Sequence, residues 1–258
     1  METILDKIIA KKADVVEELK QQQAVLQNSP VIPKKSFIEK LANADQLAII
    51  AEFKRASPSK GDINIGLDPK DQGLKYAQYG ADGMSVLTDG PFFKGSYEDL
   101  ERVSSAVSIP VLCIDFIIDE IQIDFAKHHG ASLVLLIVAA LDDDKLHSLY
   151  EYAVGKDLEV LMEVHNEEEL ERALQTDCSL IGVNNRDLKT FNVSLEVTER
   201  LAPTIKAAGK YLVSESGIAT QADIDRVVAA GANAILVGET FMKASNLRET
   251  LTSMKVKL

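Results

Sequence analysis

Eight times between residues 47 and 237, a short run of apolar residues gives way to a helical pattern. The runs span 47–53, 83–87, 110–116, 133–138, 159–164, 180–184, 211–215 and 234–237. Helical patterns lie between them, among others over 97–107, 119–129, 142–154, 166–175 and 221–230. Runs rich in Val, Ile and Leu suit strands covered on both faces, and helical crossovers between them suit parallel pairing. Gly80, Gly130, Gly209 and Gly231 stand where helices should end in a left-handed cap. Eight such units in 258 residues fit an α/β chain closed as a (β/α)8 TIM barrel, which typically needs ~250 residues, better than a doubly wound sheet. Ahead of the first strand, Asn28-Ser29-Pro30 and Pro33 interrupt the pattern, and Ser36-x-x-Glu39 reads as a capping box opening a short second helix. The expectation is one domain over 1–258, with residues 1–45 as an N-terminal helical extension within it.

Charge and composition exclude several function classes. Lys plus Arg minus Asp plus Glu is 28 − 40 = −12, so the molecule as a whole repels nucleic acid and anionic membrane. An anionic substrate therefore needs positive charge supplied locally. The longest apolar stretch, 133–141, falls short of the ~18 residues of a membrane span, and 1–20 lacks the apolar run of a signal peptide. Cys113 and Cys178 are far apart, which fits a reduced compartment and no disulfide framework. The chain reads as cytoplasmic, with no nucleic-acid or membrane partner expected.

In a closed barrel alternate strand residues point inward, and chemistry gathers at the strands' C-terminal ends. Those ends carry Glu52 and Lys54 on one face of the first strand, Glu163 on the fifth, Asn184 on the sixth and Glu215 on the seventh. Burying unpaired charge costs several kcal/mol, so these groups need a purpose. A lattice of structural ion pairs is one reading. An excess of acid, three carboxylates around one lysine, favours catalysis. Gly217 and Gly238 follow strands seven and eight, where barrels build phosphate sites from backbone N–H groups, although turn glycines would look the same. Ser57 and Ser59, beside Arg55 and Lys60, offer hydroxyls and cations for a phosphomonoester, or form a solvated loop. His128 and His129 suit a helix C-terminus. No His-Glu-x-x-His, paired Cys-x-x-Cys, Gly-x-Gly-x-x-Gly or Walker-type motif is present, so neither a metal nor a nucleotide cofactor is expected.

The string from Ile49 to Gly61, IIAEFKRASPSKG, resembles the signature of the indole-3-glycerol phosphate synthase family. The resemblance continues through Ser85-Val86-Leu87-Thr88-Asp89, Phe93-Lys94-Gly95-Ser96, Pro110-Val111-Leu112 and Asp115-Phe116-Ile117-Ile118-Asp119. It runs on through Glu163-Val164-His165, the stretch 181–188 and Ser214-Glu215-Ser216-Gly217-Ile218, in order and at the family's spacing. It implies a cofactor-free, metal-free carboxy-lyase of tryptophan biosynthesis. The reaction would be ring closure, decarboxylation and dehydration of 1-(2-carboxyphenylamino)-1-deoxyribulose 5-phosphate. Carried over by position, Lys54 would hold the substrate's anionic groups and act as an acid, Glu163 would be a base, and Glu52 would assist and orient. Asn184, Arg186, Glu215 and Ser216 would line the sugar and carboxylate side. Phe93, Phe116, Leu135 and Leu188 match the apolar wall around the anthranilate ring. For Ser57, Gly217 and Gly238 the match favours the phosphate reading.

One position departs from the family. Strand three there ends Lys-Asp-Phe, and this chain reads Cys113-Ile114-Asp115-Phe116. Ile114 shares inward parity with Leu112 and takes the place of the family's general acid. An apolar side chain cannot protonate a developing alkoxide. The implied outcomes are a slow synthase, or a barrel that binds the phosphate sugar without efficient turnover. A sibling barrel such as phosphoribosylanthranilate isomerase would need a Cys/Asp pair at the ends of strands one and six, and none stands there.

Overall fold

The computed structural model describes residues 3–28, 33 and 35–258. Ser29 and Pro30, read above as part of the break between the first helices, lie outside them. Helix α1 (Ile4–Gln21) is followed by a 3-10 turn (Gln23–Asn28) and α2 (Phe37–Ala42). The barrel then begins with β1 (Ala48–Phe53), α3 (Pro69–Gln78), β2 (Gly83–Leu87), the single turn α4 (Gly90–Phe93), α5 (Tyr97–Ser104) and β3 (Val111–Ile114). It continues through α6 (Glu120–His128), β4 (Leu133–Ile137), α7 (Asp143–Gly155), β5 (Glu159–Val164), α8 (Glu167–Ala173) and β6 (Leu180–Asn184). The last units are α9 (Glu196–Ala207), β7 (Tyr211–Glu215), α10 (Gln221–Ala230), β8 (Ala234–Val237), α11 (Glu239–Met242) and α12 (Leu247–Ser253). Every strand is parallel to its neighbours, and β8 closes the barrel on β1 with Ala48 opposite Ala234.

Strand parity divides the core in two. Ile49, Ala51, Phe53, Cys113, Leu136, Met162 and Ile181 belong to the apolar layer between strands and helices. Ile50, Leu112, Leu133, Leu135, Leu161, Leu180, Val213 and Leu236 fill the barrel interior. Cys113 is inert packing: burial pushes its thiol up to about 12. Gly80, Gly130, Gly209 and Gly231 all take positive φ just past a helix, as their positions foretold.

Two local expectations change. The run expected over 110–116 stops at Ile114, because the Asp115 carboxylate turns back to accept the Phe116 N–H at 2.8 Å and ends the ladder. The capping box at Ser36 is only half formed. Its hydroxyl accepts the Glu39 N–H at 3.0 Å, but the reciprocal bond is replaced by Glu159, whose carboxylate takes the N–H groups of Phe37 and Ile38 and the Ser36 hydroxyl. Glu159 opens β5, so this bond seats α2 under the barrel's N-terminal end. There the Phe37 ring packs closely over Gly83, 3.2 Å from where a β-carbon would stand.

Helix α1 serves the opposite end. Its Ile4, Leu5 and Ile8 line the mouth at the strands' C-terminal ends, while Val16 and Leu19 pack on Ile121 and Phe125 of α6. Between these contacts lies Lys12, 2% exposed. Its ammonium sits 2.9 Å from Asp89 and 2.6 Å from Asp115, the residues that follow the turns out of β2 and β3. Burial opposes its charge, but the two carboxylates outweigh burial and raise its pKa. Replacing Lys12 by Met should leave two buried carboxylates uncompensated and cost roughly 3–5 kcal/mol, read as a lower urea midpoint. Neutralising Asp89 and Asp115 to Asn in the same chain should restore much of it. A loss below about 1 kcal/mol, the range of an exposed pair, would contradict the clamp.

Candidate active site

The strands' C-terminal ends surround a cavity of ≈ 720 Å³, a common size for a small-molecule site. Glu52, Lys54, Glu163, Asn184, Glu215, Ser216, Arg186, Ser57, Gly217 and Gly238 all border it, as do Phe93, Ile114, Phe116, Leu135 and Leu188. These residues, all expected from the sequence, are therefore brought to one mouth. The mouth has two sides. On one, Phe93 and Phe116 tilt against each other at 5.7 Å, and Ile114 joins them in an apolar cluster with Ile8, Leu87 and Leu135. On the other stand the carboxyls.

Backbone geometry makes room for those carboxyls. A β-carbon on Gly182 would collide with Glu215 Oε1, and one on Gly238 would collide with Glu52 Oε2. Gly238 thus accommodates an acid, a role its reading as a phosphate glycine did not include. Asn185 fixes the turn that carries Glu215 and Ser216. Its amide donates to Glu215 O at 2.9 Å, Ser216 O at 3.2 Å and Ser214 Oγ at 3.0 Å, while its oxygen accepts from Thr198. Ser216 and Gly217 both take positive φ in that turn, a conformation that costs a serine more than a glycine. The Arg186 N–H donates to Asn184 Oδ1 at 3.0 Å, and its guanidinium holds Phe191 O at 3.3 Å across the loop.

The cations are distributed differently from expectation. Arg55, read beside Ser57 and Ser59 as a phosphate ligand, turns away to pair with Asp99 on α5 and lies over the Phe53 ring at 5.0 Å. Lys60 does border the mouth, 3.5 Å from Glu239, and Lys243 joins it 2.8 Å from the same carboxylate. Lys243 lies far along the chain and carried no motif. Lys54 pairs with Glu52. The expected three carboxylates around one lysine are in fact served by a second cation, His165. Its Nε2 lies 3.2 Å from Glu163 Oε1, a charge contact whose geometry falls short of a hydrogen bond. Its Nδ1 lies 2.9 Å from Glu169 Oε2. Burial works against the imidazolium, yet the two carboxylates outweigh it and raise His165 to about 10.

Among the described residues no cation pairs with Glu215, and its Oε1 is buried without a hydrogen bond. Burial first, then the charges of Glu163 and Glu52, hold its carboxyl well above the ordinary carboxylate range, with His165 offsetting part of this. Because the folded state raises this pKa, the stability Glu215 contributes is complete below about 4.5 and is lost as pH climbs toward the folded value. Glu215→Gln stays neutral throughout. Its stability relative to the parent chain should therefore grow between about pH 5 and 9, followed by urea midpoints. Parallel curves for the two proteins would contradict a buried neutral acid.

A family model described as indole-3-glycerol phosphate synthase matches residues 5–254. An indole-3-glycerol phosphate synthase from Oceanobacillus iheyensis is 50% identical over 256 residues, covering 99% of this chain and 98% of the relative. One from Exiguobacterium sibiricum is 52% identical over 243 residues, covering 94% and 93%. One from Bacillus mycoides is 48% identical over 258 residues, with both chains covered in full.

Proposed function

Because the chain belongs to the indole-3-glycerol phosphate synthase family, we propose a division of labour among the side chains of its mouth for that family's reaction. The protein is a carboxy-lyase of tryptophan biosynthesis acting on a phosphorylated small molecule. The observation that carries the residue roles is the two-sided mouth, with an apolar slot facing a ring of ionisable groups. The anthranilate ring lies against Phe93, Phe116, Leu135 and Leu188. The phosphate is held by backbone N–H groups around Gly217 and Gly238 with the hydroxyl of Ser57. This anchoring offsets the repulsion of a chain with net charge −12.

Ring closure joins the carboxyl-bearing aryl carbon to the ketone carbon, and the ketone oxygen becomes an alkoxide that needs a proton. Decarboxylation then restores the aromatic ring, and loss of the hydroxyl as water completes the indole. Lys54 pairs with the substrate's anionic groups and donates to the alkoxide. Glu163 accepts the proton removed in the later steps, and Glu52 orients Lys54 through their ion pair. Asn184, Arg186, Glu215 and Ser216 contact the sugar and carboxylate.

Ile114 supports a second reading within the same function, binding that outlasts turnover. It adds no charge and no donor to a mouth whose remaining anion-binding groups are intact. The chain works as a cytoplasmic monomer of one domain. Among the described residues no helix is long and apolar enough to cross a membrane.

Indole fluorescence with the family substrate tests these roles. Ile114→Lys should raise turnover roughly 10²–10⁴-fold, the usual worth of a general acid, with binding little changed. Glu163→Gln should lower turnover by about the same factor. Fast turnover by the parent chain that Ile114→Lys leaves unaltered would remove the general acid from position 114. Unchanged turnover in Glu163→Gln would remove the base.

A further inference from the structure

His165 continues the inward parity of Glu163 and stands just past the end of β5. It is largely buried, and its two ring nitrogens face two different carboxylates, Glu163 at 3.2 Å and Glu169 of α8 at 2.9 Å. Glu169 is itself held in place. It accepts the His165 N–H at 2.8 Å and the Asn166 side-chain amide at 2.7 Å, and its own N–H donates to Asn166 Oδ1 at 2.9 Å. The imidazole is therefore clamped from the outside of the barrel by a fixed anion. A neutral ring would have to offer a lone pair to one of these carboxylates, whereas an imidazolium satisfies both.

The mouth's charges then fall into pairs. Glu52 has Lys54, and Glu163 has His165. Glu215 lies beside Glu163, over the space that Gly182 leaves open, and among the described residues no cation forms an ion pair with it. The charged groups that act on Glu215 are Glu163, Glu52 and His165, and those that act on His165 are Glu163 and Glu169. Glu52, Glu163, Glu169 and Glu215 therefore share two cations, and a proton on the unpaired carboxyl reduces the excess of negative charge.

We propose that His165 is a positioning residue for proton transfer: clamped by Glu169 as an imidazolium, it assigns the ionised state to Glu163 and leaves the shared proton on Glu215. Its charge sets which carboxyl is ready to accept a proton and which is already occupied. The strong upward shift of both His165 and Glu215 agrees with this arrangement. The proposal rests on Glu163 being the base, and its test separates the two ideas.

Long-range proton–nitrogen spectra of the ¹⁵N-labelled full chain read the charge on each of the four histidines directly. His128→Gln, His129→Gln and His147→Gln assign the remaining signal to His165 without touching it. Both His165 nitrogens should stay in the imidazolium range beyond about pH 8, against ~6.5 for a free histidine. Glu169→Gln should move that midpoint down by about one unit or more. His165→Asn should shift the acidic limb of the kcat/KM profile to higher pH, with KM nearly unchanged, because the lost charge acts on proton transfer and not on substrate contacts. A neutral imidazole at about pH 7.5, or a midpoint indifferent to Glu169→Gln, overturns the proposal whatever Glu163 does. If His165 is an imidazolium but Glu163→Gln retains full turnover, the clamp stands and the assignment of the base falls.

Discussion

Closure of eight parallel strands is the constraint from which the rest of this molecule follows. Once β8 pairs with β1, every inward side chain below the rim is sealed from water, and only apolar groups can occupy those layers without a counter-charge. Ile50, Leu112, Leu161 and Val213 obey this rule. The same parity carried one step further brings Glu52, Glu163 and Glu215 to the rim, all 5% exposed. Acids tolerated there are neither buried in the core nor solvated on the surface. They are stabilised only by what the neighbouring strands set beside them.

That dependence explains where the chain spends its buried cations. Lys12 of α1 and His165 just past β5 each face a carboxylate of another element or turn, while Lys54 faces Glu52 two residues back at the end of β1. A buried pair of this kind adds little net stability compared with an apolar substitute, but losing one partner is costly. Such pairs therefore act as registration marks. Lys12 ties the helix that lines the mouth to the turns after β2 and β3, so the apolar wall containing Phe93 and Phe116 keeps its place relative to Ile4, Leu5 and Ile8. The N-terminal extension divides its work, with α1 at the catalytic end and α2 beneath the barrel on Glu159.

What was legible in the sequence was whatever obeys a local period. The eight strands, the glycine caps and the rim residues Glu52, Glu163, Asn184 and Glu215 all follow from apolar runs and two-residue parity. Lys12 was legible in principle, since it lies four residues from both Ile8 and Val16 on the buried face of α1. In a charged segment, however, a lysine reads as solvated until something shows two carboxylates waiting. His165 carries the same inward parity as Glu163, but its charge becomes evident only once Glu163 and Glu169 are seen on its two ring nitrogens. Arg55 went the other way: adjacent serines suggested an anion site, and a long-range partner, Asp99 on α5, took the guanidinium. The Asn185 contacts to Thr198, Ser214 and Ser216 join positions far apart in the chain, and no local period encodes them. Local pattern locates strands and rims, while long-range partners such as Asp89 and Asp115 for Lys12 or Asp99 for Arg55 come together only in the closed barrel.

Ile114 acquires its meaning from this pairing of charges. At the end of β3 it continues the apolar wall, packed with Ile8, Leu87 and Phe116, and it neither offers nor needs a counter-charge. A lysine there would set a further cation among these carboxyls and weaken the need for a proton on Glu215. With isoleucine that cation is missing, and burial together with the charges of Glu163 and Glu52 favours the proton on Glu215. The two versions keep the mobile proton on different strands. In one it sits on an amine at β3, beside the aromatic wall, and in the other on a carboxyl at β7, across the barrel from it. A reaction that needs its proton at the ketone oxygen feels that displacement directly, while substrate binding, which responds to net charge and shape, feels far less of it.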